Sequence, residues 1–200
     1  MMNSLYKIIL FFILIITLNF QYSFGQDSLK KTDKKSETSS FFSLQGTYVR
    51  HLGNFGNVWS HTTGIYGIYG INYPSNYVLN FKTGYLTLHN KKDINFPENS
   101  GSTIIPVVIG GKYLFDLKIA QPYISFNNGI NIISQKVNLN GEKEEKTLVK
   151  YYWQTGVGTY VNLYKNLKLD LSVNVNSHFY QDDAMMTGFE YNLGIEYFLK

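Results

Sequence analysis

Cysteine is absent from the chain. Its absence excludes disulfide staples, thiol chemistry and a lipid-modified N-terminal cysteine. Charge is scarce as well. Asp, Glu, Lys and Arg make up 16% of the residues, against about 25% in soluble domains. The lysines are scattered, and no basic stripe is interleaved with aromatic residues, so no nucleic acid is expected as a partner. The net charge of +4 is modest. From Phe41 onward no segment carries a 3.6-residue apolar stripe, which leaves helices little to be built from.

What the chain does have is 17 Tyr, 14 Phe and 17 Gly. Many aromatic residues combined with few charges suit strands that face an apolar solvent better than strands that face water. Two hundred residues allow one domain, enough to close a small barrel.

The first 25 residues read as an export signal. One lysine precedes an apolar run at 8–18, and small residues at Ser23 and Gly25 stand where a signal peptidase reads. The run is too short for a membrane-spanning helix, which takes about 20 residues. Cleavage after Gly25 is expected. Residues 26–40 are nearly all Lys, Asp, Ser and Thr, and read as a flexible periplasmic leader that cannot bury enough surface to order itself.

Period-two alternation then recurs through residues 41–200. It predicts eight strands near 41–51, 60–73, 76–89, 102–115, 121–133, 147–163, 166–180 and 187–199. The seventh is clearest: Leu167, Leu169, Leu171, Val173 and Val175 on one face, Lys168, Asp170, Ser172, Asn174, Asn176 and His178 on the other. The second, with Ile, Tyr and Gly on both faces, is the faintest. Connections after odd-numbered strands (53–59, 90–101, 134–146, 181–186) look longer or more polar than those after even ones (74–76, 116–120, 164–166). Membrane barrels have short periplasmic turns and longer external loops, so the spacing suggests an even-stranded antiparallel barrel with a periplasmic N-terminus.

Alternation does not say which face points outward. The polar faces carry only Lys82, Lys112, Lys150, Lys168, Asp170, Glu190 and Glu196, too few charges for a soluble exterior of about 25–35% charged residues. Those residues are therefore expected in the lumen, with the apolar faces against lipid. The fold class expected is all-β: a closed antiparallel eight-stranded up-and-down transmembrane β-barrel. In the lumen, Lys168, Asp170 and Glu196 form one expected paired group, and Lys150, His178 and Glu190 a second.

Two stretches carry a resemblance. One is Pro106-Val107-Val108 leading to Gly110-Gly111-Lys112-Tyr113-Leu114-Phe115, followed by Pro122-Tyr123 and Gly129. The other is the end of the chain, Asn192, Gly194, Tyr197 and Leu199, which is similar to the C-terminal signal read by the outer-membrane insertion machinery. The last residue, Lys200, departs from that signal by not being aromatic. Over 41–200 the chain resembles the small outer-membrane β-barrel family of Bacteroidota, broadly of OmpA and OmpX type. The resemblance implies an outer-membrane location, lipid and the insertion machinery as partners, and no particular activity.

The candidate chemistry is thin. His51, His61, His89 and His178 fall near external strand ends without ligand spacing, so no metal or cofactor is expected. Ser177, His178 and Glu190 supply the residue types of a lipid A hydrolase, but alternation sends Ser177 to the opposite face. A non-enzymatic barrel, structural or adhesive or part of an envelope complex, with a filled lumen and recognition loops, is the function expected. A small porin-like channel and a lipid A-modifying hydrolase are the alternatives.

Overall fold

A computed structural model describes residues 38–91, 101–117, 120–139, 142–181 and 184–199. The expected export signal, most of the expected leader, much of the 90–101 connection and Lys200 lie outside them. Eight strands follow one another: β1 (Ser39–His51), β2 (Trp59–Asn72), β3 (Tyr77–Asn90), β4 (Gly101–Leu114), β5 (Ala120–Leu139), β6 (Glu142–Tyr164), β7 (Leu167–Gln181) and β8 (Ala184–Leu199). Each pairs antiparallel with the next, and β8 returns to β1 with Ser40 opposite Leu199 and His51 opposite Gly188. The barrel is closed, so no strand is left at an edge of the sheet.

Alternation places the apolar positions outside. Leu44, Ile65, Leu79, Ile109, Ile124, Leu171, Leu193 and Ile195 are all exposed on the outer wall. Aromatic residues gather towards both ends of that wall. Phe42, Tyr69, Tyr77, Tyr113 and Tyr197 stand at the end where the chain begins, and Tyr48, Tyr85, Tyr151, Phe179 and Tyr191 at the other. An apolar band between aromatic girdles matches the surface of a barrel in lipid.

The turns at the first end are short. Between β2 and β3, Asn76 adopts φ 64°, a left-handed conformation that Asn tolerates better than most residues. The Asn76 carbonyl accepts from the Leu114 N–H at 2.8 Å and ties this turn to β4. At the opposite end, the β1–β2 connection holds a single helical turn, α1 (Phe55–Val58).

The connection lengths differ from expectation. The stretch 134–146 is not a loop: β5 and β6 continue pairing as far as Leu139 opposite Glu142. Strand also occupies most of 181–186. Polar residues had made both stretches look like loops, but alternating Lys, Glu and Thr are compatible with strands that water reaches on both faces. Among the described residues, β6 pairs with β7 only from Tyr152 onward. Its first ten residues, 142–151, thus rise with β5 beyond the last β6–β7 pair. At about 3.3 Å per residue, that projection is on the order of 30 Å along the strand.

Candidate functional site in the barrel bore

An eight-stranded barrel has a bore that side chains can just fill. Here they fill it in layers. The layer towards the first end is centred on Lys112 of β4. Its Nζ lies 2.9 Å from Asp170 Oδ2, 3.4 Å from Glu196 Oε1 and 2.5 Å from the Tyr160 hydroxyl. Tyr160 in turn donates to Glu196 at 3.0 Å, and Tyr123 donates to the other Asp170 oxygen. Both carboxylates are fully buried. The ammonium also sits 4.6 and 4.7 Å from the Tyr123 and Tyr160 ring centres, which adds cation–π attraction.

A second layer is centred on Lys82 of β3. Its Nζ donates to Gln154 at 2.7 Å, lies 4.4 Å from the Tyr66 ring centre and stands 3.9 Å from Glu190. Glu190 accepts from Asn176 at 2.8 Å, and more weakly from Tyr66 and Tyr152 at 3.3 and 3.4 Å. Between the layers, Ser125, Ser172, Asn174 and Asn192 are linked by hydrogen bonds of 3.2–3.3 Å. A cavity of about 20 Å³ remains there, roughly what one water requires.

Apolar side chains close the bore beyond both layers. Phe41, Val78 and Leu114 do so at the first end, and Trp59, Leu86, Leu88, Ile104, Ile133 and Met186 at the other. Glycines make room for the rings. A Cβ on Gly158 would fall inside the Tyr123 ring, and one on Gly70 inside the Phe41 ring. The lumen is thus filled by side chains, with polar layers between apolar ones.

The partners differ from those expected. Lys168 stands beside Glu196 in the register, but its ammonium turns to Gln121 at 2.7 Å and to the Phe198 ring at 4.5 Å. Lys112, from across the bore, takes its place between Asp170 and Glu196. Lys150 is half-buried level with Asn131, where β6 begins to project, while the cation facing Glu190 is Lys82. Alternation gives the side of the wall a residue faces, whereas strand tilt decides which heights meet across the bore.

His178 pairs through Nδ1 with Asn131 and packs on the Tyr152 ring, 4.6 Å between centres. Among the described residues its Nε2 has no hydrogen-bond partner, nor has the Ser177 hydroxyl, and Ser177, His178 and Glu190 form no hydrogen-bonded relay there. Of the residues in the C-terminal signal, Asn192 lines the bore and Gly194 lies opposite Gln45 and Asp170. Tyr197 and Leu199 face outward. Sequence reasoning gave no role in the bore to the buried tyrosines at 66, 123, 152 and 160. Their polar-face positions were the available signal, since a tyrosine there must place its hydroxyl on a partner.

No family model matches this chain, and no curated protein does. Solved structures do. The chain is similar to a major outer membrane protein from Thermus thermophilus, with a TM-score of 0.54 and 12% identity over 80% of this chain and 99% of that one. It is similar to Neisserial surface protein A, at 0.52 and 15% over 81% and 99%. It also resembles Ail, the attachment invasion locus protein of Yersinia pestis, at 0.52 and 14% over 81% and 97%. At such identities the likeness is one of fold: a closed eight-stranded antiparallel barrel of the kind these outer-membrane proteins have.

Proposed function

We propose that this chain is a non-enzymatic outer-membrane barrel, exported by its first 25 residues, that acts through its external surface as a structural or adhesive component or within an envelope complex. The observation that carries this reading is the closed bore. Two ionic layers with apolar side chains beyond them fill the bore, and the cavity between them has room for about one water (20 Å³). A wall of exposed Leu, Ile and Phe needs lipid around it. Beyond the last β6–β7 pair the β5–β6 hairpin has β4 alone beside it among the described residues, as far as Lys136 opposite Gly101, and this tall part of the wall is the natural place for contact with a partner. The same arrangement supports a periplasmic N-terminus, because the hairpin rises at the end opposite Ser39.

The test has two parts. The protein should fractionate with outer membranes and migrate faster unheated than boiled in SDS gels. In planar bilayers it should give no stable conductance. Recovery as a soluble species would refute the membrane placement, and large regular conductance steps would refute the closed bore in favour of a porin-like channel.

A further inference from the structure

The external rim of the outer wall carries a group of residues that neither the bore nor the girdles account for. The Tyr48, His61 and His89 rings stack across β1, β2 and β3, with centres 5.3 and 4.5 Å apart and planes within 22° and 19°. The register that sets Val49 against Thr62 carries Arg50, the chain's single arginine, to the level of His61. Arg50 is exposed, and Lys91 follows two residues after His89. Ser60 and Thr63 add hydroxyls bonded to the imidazoles at 2.8 and 2.9 Å.

The described carboxylates all lie elsewhere. Asp170, Glu190 and Glu196 are in the bore, Asp116 is in a turn at the opposite end, and Glu142, Glu144 and Glu145 belong to the hairpin. The rim group is therefore cationic without a counter-charge of its own among the described residues. It stands just beyond the level of Tyr48 and Tyr85, where an aromatic girdle meets lipid headgroups.

Resting on the membrane reading above, we infer that Arg50, His61 and His89 form a binding site for the phosphate of an outer-leaflet lipid. Arg50 supplies permanent charge and a planar set of donors suited to phosphate oxygens. Ser60 donates its only hydroxyl hydrogen to the His89 carbonyl at 3.1 Å, so its oxygen accepts from His61 Nδ1–H. Burial and the neighbouring His89 disfavour the imidazolium, so the other ring nitrogen, Nε2, donates only where an anion beside the ring outweighs them. The stacked rings fix both imidazoles in place, and the apolar wall below them receives the acyl chains.

Native mass spectrometry of the detergent-purified protein tests this, with diphosphoryl lipid A and its dephosphorylated form supplied at equal concentration. The phosphorylated lipid should be retained about tenfold more strongly, and Arg50→Ala should remove about that factor, the size expected for one charge-assisted contact. Arg50→Lys should keep most of it. Heat-modifiability on gels, unchanged in Arg50→Ala, separates loss of the site from loss of the barrel. Equal retention of the two lipids by a heat-modifiable protein would overturn the site and leave the membrane reading standing. Saturable binding of inorganic phosphate alone at the same residues would overturn the assignment to lipid.

Discussion

Removing the ammonium of Lys112 should destabilise the barrel more than removing either carboxylate it serves. Among the described residues Lys112 is the one cation within 3.4 Å of both Asp170 and Glu196, which are themselves fully buried. Lys112→Met leaves two carboxylates together, with only tyrosine hydroxyls and the Gln45 amide (3.4 Å from Asp170) to stabilise them. Breaking one buried pair costs about 3–5 kcal/mol, so the upper end is expected. Asp170→Asn behaves differently. Lys112 keeps Glu196, the amide oxygen still accepts a hydrogen bond, and the loss is that of one charged hydrogen bond, about 1.5–3 kcal/mol. The triple change Lys112→Met, Asp170→Asn, Glu196→Gln removes all three charges and should return to within about 1 kcal/mol of the parent, as neutral replacements of buried ion pairs often do. Equilibrium urea unfolding in lipid vesicles, followed by tryptophan fluorescence, reads all three. Losses below about 1 kcal/mol for Lys112→Met, or an equal loss for Asp170→Asn, would refute the reasoning, because charges that water reaches do not depend on one another in this way.

Two further outcomes follow from the wall and the seam. Leu193→Arg, at an exposed position midway along β8, should cost about 2–4 kcal/mol in vesicles, and a loss close to zero in the same unfolding assay would mean that this face meets water. Deleting residues 197–200 removes the pairs of Tyr197 with Phe42 and Leu167 and of Leu199 with Ser40. Membrane insertion should fail, whereas deleting Lys200 alone should leave it intact; normal assembly of the longer deletion, seen by fractionation, would contradict the role given to this end.

The strands were legible in the sequence because burial in a barrel alternates strictly. On β7, Ser172 and Asn174 are buried while Leu171 and Val173 are exposed, as the pattern of residues required. Even β2, with Ile, Tyr and Gly on both faces, takes its register from β1 and β3, with Tyr66 opposite Gln45 and Gly84. Strand ends were less legible. Glu145 and Lys136 pair at 3.7 Å across a hairpin whose composition reads as a loop, since a strand surrounded by water needs no apolar face. The bore was half legible. The inward charges could be named from alternation, but the meeting of Lys112 with Asp170 joins residues 58 positions apart on strands that do not touch, and no local pattern encodes it.

The β1–β8 pairing has a consequence for how the barrel forms. Seven of the eight ladders join strands adjacent in the chain, and each can grow from its own turn. The eighth joins Ser40 to Leu199, nearly the whole length of the domain apart. Bringing such distant segments together carries the largest loop-closure entropy and is rewarded last. Until then β1 and β8 each present a row of unsatisfied backbone groups, intolerable in hydrocarbon and ready to pair with any strand offered. The same pairing completes the ionic layer, since Glu196 on β8 meets Lys112 only once β8 has taken its place. Closure and completion of the ionic layer thus arrive in one step, and an intermediate lacking β8 pairing would carry both an open edge and a lysine without one of its two carboxylates, which favours assembly that is all-or-none at its final stage.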